Sequence, residues 1–258
     1  MKHPTTALMD LDRLTYAVAF IVEGKDETKA NILNSAKLML EAAKVEILEL
    51  ASTVTKFKLF LSHEKNFRKE IAQERVYKGS RGTKPEAIGL IRDYYKSKGA
   101  HTFPYMEADD LTSISHWKSH RDGTYDTVIY DVDKDLDMVP GWRIYPSLKQ
   151  KGFIKREAEI SLISSEEAVR SFYRQLLTGD TTDDIGGLRG VGKKGANCVL
   201  GDSTCPQELY VKVLDKYLEV LNGHCYSEIM QLIFERGNLL WMKRFPGDVW
   251  IPPRQMDN

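Results

Sequence analysis

Seventeen residues from Gly179 to Gly195, "GDTTDDIGGLRGVGKKG", combine two acids three apart, six glycines and a Lys pair, a set suited to handling phosphate. Three readings compete for them. Gly190, Gly192 and Gly195 spell the GxGxxG of a dinucleotide fold, and Gly187 to Lys193 spells the GxxxxGK of a P-loop, though Lys194 stands where that loop needs Ser or Thr. The third starts from Asp180 and Asp183, whose spacing places both carboxylates on one face of a helix ahead of a glycine-rich hairpin. A dinucleotide or P-loop motif must follow a buried strand and open a helix so that its amides face the phosphates. "GDTTDDIGGLR" is no strand, which leaves the acids as the feature to explain.

Other acids close the apolar runs. Asp10 ends "TTALMD"; Glu107, Asp109 and Asp110 follow "HTFPYM"; Asp133 and Asp135 follow "DTVIYDV". In open α/β sheets, sites form outside the carboxyl ends of strands, so acids far apart in sequence are expected to converge there. Clustered carboxylates raise one another's pKa values unless a cation sits among them, and magnesium or manganese suits an all-oxygen set. Acids in a helix's first turn are also favoured by the dipole alone, so "EADD" by itself is ordinary. Repetition at three strand ends is what points to metal. Upstream, "RVYKGSRGTK" sets Arg75, Lys78, Arg81 and Lys84 beside Tyr77, cations interleaved with an aromatic as a single-stranded backbone and its bases require. Arg189, Lys193 and Lys194 would neutralise phosphates near the glycine-rich hairpin.

The elements that must position these residues alternate. "TTALMD", "FKLFLS", "HTFPYM" and "DTVIYDVD" read as strands separated by helical patterns, which predicts a mostly parallel sheet. A helix is expected over about 27–53, with Ile32, Ala36, Met39, Ala43, Ile47 and Leu50 as its core face. Beyond Ser165 helical patterns take over, around 169–177, 209–221 and 229–241, and a boundary near Leu177 divides an α/β core (1–177, with a basic segment at 65–98) from a helical region (178–258). Length, 42% hydrophobic and 29% charged residues describe a globular protein rather than a disordered one. No apolar run is long enough for a membrane span and the N-terminus lacks a signal peptide's apolar core, so a cytoplasmic protein without membrane partners is expected. Cys198, Cys205 and Cys225 are odd in number and lack CxxC spacing, and read as reduced. The formal net charge of zero hides a segregation: Lys65 to Lys98 holds ten bases against four acids, and Glu107 to Asp137 nine acids against three bases. Either block alone is also what a solvated face looks like.

In this order the motifs resemble the structure-specific 5′-nucleases: flap endonucleases, the 5′-nuclease domains of bacterial DNA polymerases and the phage 5′ to 3′ exonucleases. "LMDLD" is similar to the family's first strand, "NFRKEIAQERVYKGSR" to its basic segment leading into a helical arch, "EADD" and "DVDKDL" to two acid motifs, and "GDTTDDIGGLRGVGKKGA" to its helix-three-turn-helix signature. The ending "NLLWMKRFPGDVWIPP" and the compact length resemble the phage branch. The resemblance implies a PIN-like 5′-nuclease core, a mostly parallel sheet flanked by helices, with a helical arch and a C-terminal helix-three-turn-helix region. It implies Asp10, Glu107, Asp109, Asp110, Asp133, Asp135, Asp180 and Asp183 as ligands of two magnesium or manganese ions, and Lys78 and Arg81 as cations on the scissile phosphate. Arg68, Arg75, Tyr77, Lys84, Arg189, Gly190, Gly192, Lys193 and Lys194 become DNA contacts, and the hairpin carbonyls hold a potassium ion against duplex phosphate.

The implied activity is hydrolysis of phosphodiesters near the 5′ ends, flaps or junctions of DNA, with RNA primers as further substrates, by a monomer using two metal ions. One position departs: His63, in "FLSHEK", stands where an acid is usual. It either joins the metal site or is a surface His with Glu64 or Asp12 supplying the missing oxygen. Two rivals remain beside this reading, a junction-binding protein that has lost catalysis and a PIN-type ribonuclease sharing only the core.

Overall fold

Residues 3–24, 28–150 and 153–253 are described by the computed structural model. Two compact units divide them. The first takes the chain up to Lys65 with Gly82–Asp133 and Gly141–Ile163; the second takes Asn66–Arg81, Lys134–Pro140 and the chain from Ser164 on.

In the first unit the strands at the middle of the sheet form from apolar runs that are buried on both faces, the condition for a parallel sheet. β1 (Thr6–Asp10) is buried along its first four residues, and β3 (Thr127–Tyr130) along all four. β1 pairs in parallel with β2 (Lys56–Phe60) on one side and with β3 on the other, and β4 (Gly141–Tyr145) extends the parallel run beyond β3. Two further strands form a ribbon, β5 (Leu148–Gln150) with the exposed β6 (Phe153–Arg156), before β7 (Glu159–Ile163) returns antiparallel to β4. The order β2-β1-β3-β4-β7 means that the chain leaves β1 first to one side and later to the other. The crevice between β1 and β3 is therefore the topological switch point, where such sheets place their ligands.

Helices α1 (Asp12–Val22), α2 (Lys29–Leu50), α4 (Ile88–Ser97) and α5 (Ala108–Arg121) accompany this sheet. α2 starts where Thr28 accepts the Asn31 N–H, and it buries Ile32, Ala36, Leu40, Ala43 and Ile47 at steps of three or four. Each of the Ile and Leu side chains contributes about 2 kcal/mol on burial. Met39 and Leu50, expected in the same stripe, pack at its margin.

The second unit is helical. It holds α3 (Phe67–Ile71), a 3-10 turn at Lys134–Met138, and α6 (Ser165–Thr178), α7 (Lys193–Leu200), α8 (Pro206–Val220) and α9 (Tyr226–Leu240). A capping box starts α6, Ser164 taking the Glu167 N–H while the Glu167 carboxylate takes the Ser164 N–H. Phe172 of α6 then packs edge-on to Trp241, ring centroids 4.9 Å apart.

Several expectations need correction. "HTFPYM" is no strand: only His101 bridges to Phe60, because Pro104 and a turn with Tyr105 at φ +63° end the pairing at once. α6, placed on the core side of the 177 boundary, packs with α7, α8 and α9. The basic segment forms no climbing arch helix between α3 and α4; residues 72–87 carry turns instead. Among the described residues no helix is long and apolar enough to cross a membrane, and the three cysteines are free thiols.

Candidate metal centre

Both strands at the switch point end in the same device. Asp10 closes β1 and its Oδ1 accepts the Asp12 N–H at 2.7 Å; Asp131 follows β3 and its Oδ1 accepts the Asp133 N–H at 2.6 Å. Since Met9 lies opposite Tyr130, the two D-x-D turns sit side by side. Each turn occupies one carboxylate oxygen. Burial pushes Asp10 well above the ordinary carboxylate range, and the charges of Asp12, Asp131 and Asp109 push it further. Burial likewise raises Asp131 to about 6, against hydrogen bonding from the Asp133 N–H and the nearby Arg143 guanidinium. Arg143 lies fully buried in β4 and donates to the carbonyls of Asp131 and Asp133, fixing the second turn.

The third strand-end group reaches the same edge through α5. Glu107 is its N-cap residue and Asp109 and Asp110 occupy its first turn. One oxygen of each of these three acids lies within 4.8 Å of the others, with Glu107 and Asp110 buried. A helix N-terminus favours nearby acids but supplies only about half a positive charge. Asp109 also acts on Asp10, so the acids of this unit form one field that calls for protons or for a cation. Hard divalent ions fit an all-carboxylate donor set of this kind.

Ser62 ties β2 to this edge. Its Oγ accepts the Ala108 N–H at the start of α5, and its own N–H reaches Asp12 Oδ2. Arg92 of α4 donates to Asp12 Oδ1 at 2.6 Å and to the Ser62 carbonyl, so Asp12 already has a cationic partner. His63 is half-buried and lies outside the Glu107, Asp109 and Asp110 group. Its Nδ1 takes N–H groups from Lys65 at 3.1 Å and Tyr105 at 3.4 Å.

The remaining acids belong to the second unit. Gln175 of α6 donates through Nε2 to Asp135 at 2.6 Å and to Asp180 at 3.1 Å, and Lys134 pairs with Asp180 at 3.1 Å. Asp180 and Asp183 do not share a helix face as their spacing suggests. α6 stops at Gly179, whose φ is +68°, and the reciprocal Asp180–Ile185 bridge closes a tight turn. A Cβ on Gly187 would meet the Thr178 carbonyl at 2.2 Å, so only glycine lets the turn lie this close to the helix end. Asp183 faces the basic segment of its own unit. Its Oδ1 receives Arg81 at 2.8 Å, and its Oδ2 receives the Tyr77 hydroxyl at 2.7 Å and lies 3.3 Å from Lys78 Nζ.

Two expected DNA contacts are not surface groups. Arg68 is 1% exposed and bonds the carbonyls of Leu239 and Trp241. Tyr77 is buried, its hydroxyl spent on Asp183. Charge and aromaticity in a loop suggested nucleic acid, but tertiary burial gives both a structural task. Arg75, Lys84, Arg189, Gly190, Gly192, Lys193 and Lys194 are exposed, the last two opening α7 behind Gly192. Asp131, by contrast, was missed. The signal was present in the repeated pattern of "LMDLD" and "IYDVD", which puts an acid at the last position of both runs.

The raised acids carry a pH signature. A carboxyl held at about 6 binds its proton more tightly than in the unfolded chain, so this group's contribution to stability falls as pH rises from about 4 to 6. At neutral pH the cost is about 3 kcal/mol. An ion among the acids offsets it, so manganese is expected to raise the thermal midpoint clearly at pH 7.5 and much less at pH 5. Equal shifts at both pH values in thermal unfolding would separate metal binding from these acids.

No protein-family model matches the sequence, and no curated protein matches it significantly. Solved structures are similar in fold. The phage T5 D15 protein co-crystallized with metal ions is 16% identical with a TM-score of 0.63, over 91% of this chain and 88% of that one. T5 5′-exonuclease with bound zinc is 16% identical with a TM-score of 0.55, over 91% and 89%. The T5 flap endonuclease in a pseudo-enzyme-product complex with DNA and metal ions is 14% identical with a TM-score of 0.55, over 91% and 85%.

Proposed function

We propose that this protein, which shares the fold of the phage T5 5′-exonuclease, is a metal-dependent structure-specific 5′-nuclease that hydrolyses DNA phosphodiesters near 5′ ends, flaps or junctions. The observation that carries the reading is the pair of D-x-D turns flanking the switch point, with Glu107, Asp109 and Asp110 gathered at the same sheet edge. Such a field of buried acids costs stability and does no work unless it holds cations.

When bound, a pair of divalent ions would supply positive charge to the attacked phosphoryl group and acidify the attacking water. Asp10, Asp131, Glu107, Asp109 and Asp110 would hold metal, with Asp133 beside them; Asp135, Asp180 and Asp183 complete the set by resemblance. Arg143 keeps the β3 turn in shape through two carbonyls, and Ser62 fixes where α5 begins. Lys78 and Arg81 would place positive charge on the scissile phosphate, where charge grows in the transition state. The exposed Arg189, Lys193 and Lys194 would bind duplex phosphates, with potassium at the carbonyls of the preceding turns.

That division gives a separate test. Lys193→Ala combined with Lys194→Ala is expected to weaken duplex binding and to reduce the slope of log affinity against log salt by about two. Their kcat at saturating substrate should stay that of the parent.

One observation favours the rival, a junction-binding protein without catalysis: His63 stands where the resemblance expects an acid, and its Nδ1 is taken by two N–H groups. Incubating the protein with 5′-labelled flap, nicked, single-stranded and RNA-primed substrates, with magnesium, manganese or EDTA, decides between them. Metal-dependent release of short 5′ products supports the nuclease and reports whether RNA primers are cut. Tight flap binding with no cleavage under either metal supports the rival.

A further inference from the structure

The β5–β6 ribbon plays no part in the metal centre, yet it springs from the edge that bears the acids. β4 runs parallel to β3 and ends at Tyr145, and β7 begins opposite it at Glu159, so the chain between them leaves and returns at the carboxyl edge of the sheet. Neighbouring strands lie about 4.8 Å apart, which puts the root of this excursion about 10 Å from the strand that carries Asp10.

Its composition is unlike that edge. From Leu148 to Arg156 the sequence "LKQKGFIKR" holds four cations and no acid. Every residue of β6 is exposed, Phe153 by 79% and Ile154 by 52%. The register passes from Leu148↔Arg156 to Lys149↔Ile154, a bulge that skips Lys155, and bulges re-aim side chains. At the root, Arg156 donates to the Pro146 carbonyl and lies over the Tyr145 ring. A two-stranded ribbon with apolar groups open to water is marginal by itself and gains stability from what it covers.

We infer that this ribbon is a contact for a single-stranded DNA arm, Phe153 stacking on an unpaired base while Lys155 takes a flanking phosphate. The inference rests on the nuclease reading, which puts a phosphodiester at the acid edge. A second copy of the chain or an apolar peptide would cover Phe153 and Ile154 but gives no reason for four cations. A polyanion does, and an exposed aromatic among cations is how sequence-tolerant single-strand surfaces are built. The ribbon also answers an electrostatic difficulty. Carboxylates repel phosphate, and a basic arm rooted about two strand spacings away draws the substrate backbone towards them.

The test uses the full chain in EDTA, where metal-dependent cleavage is silent, and a fluorescein-labelled oligothymidylate of about 16 nucleotides beside a blunt duplex of equal length. Phe153→Ala is expected to weaken oligothymidylate binding about tenfold and duplex binding less than about twofold. Lys155→Ala should lower the single-strand salt slope by about 0.7. Phe153→Trp should keep the parent's affinity, with indole fluorescence quenched on binding. Unchanged oligothymidylate affinity in Phe153→Ala overturns the inference. So does an equal loss on both probes with a lowered thermal midpoint, which makes the ribbon a structural element, or a dimer that Phe153→Ala dissociates. Flap cleavage by the parent in manganese is measured alongside. Cleavage with an indifferent Phe153→Ala defeats the ribbon alone, whereas a parent that neither cuts nor binds defeats the nuclease reading with it.

Discussion

Asp131→Asn is expected to do two opposite things: reduce metal-dependent cleavage about a thousandfold, and raise the thermal midpoint of the metal-free protein by about 5 °C at pH 7.5. The carboxyl is buried and held at about 6, so at neutral pH the fold works against its ionisation. Asn keeps the Oδ1 acceptor for the Asp133 N–H, so the turn that closes β3 survives while the charge beside Asp10 disappears. Relief of that repulsion also lets Asp10 ionise more easily. The same substitution removes a ligand oxygen, so manganese should stabilise the variant far less than the parent. Thermal unfolding with and without manganese, run beside a flap-cleavage assay, reads both effects. A variant that is fully active, or less stable than the parent without metal, would show that Asp131 is an ordinary core polar group.

The double variant Lys78→Ala, Arg81→Ala should lower kcat by about a hundredfold or more while leaving flap affinity close to the parent's, because preorganised charge on a scissile phosphate counts mainly in the transition state. The structure adds a sharper form of the test. Both cations lie on Asp183, with Tyr77 completing its shell. If they act only by holding Asp183, then adding them to an Asp183→Asn background costs nothing further. If they act on phosphate, the losses multiply, and the double-mutant cycle closes near zero coupling. Measured kcat values for the four proteins distinguish these cases.

How much of this could be read from the sequence follows from which forces are local. β1 and β3 were legible because continuous apolar runs closed by acids have one economical use, as buried parallel strands whose ends face a site. The stripe of α2 was legible for the same reason, since its buried residues recur at helical spacing. β4 was not, because only one of its two buried residues, Ile144, is apolar; the other, Arg143, is a buried charge that makes sense only beside the carbonyls of Asp131 and Asp133. β6 shows no burial at all, so no alternation could reveal it. Helical spacing of Asp180 and Asp183 misled because Gly179 ends α6 ahead of both, and the close approach that needs Gly187 is a tertiary fact. Arg68 and Tyr77 show the reverse error. Their residue types fit a nucleic-acid surface, while the carbonyls of α9's end and the carboxylate of Asp183 claim them for the interior.

The nuclease reading stands or falls on a single comparison: cleavage of a 5′-labelled flap by the parent and by Asp10→Asn, each in manganese and in EDTA. Asp10 ends β1 at the switch point, and burial with three neighbouring acids holds its carboxyl well above the usual range. A metal-dependent nuclease gives short labelled products only for the parent in manganese, with Asp10→Asn still binding the flap. Cleavage that persists in EDTA, or that Asp10→Asn supports as well as the parent, would contradict it.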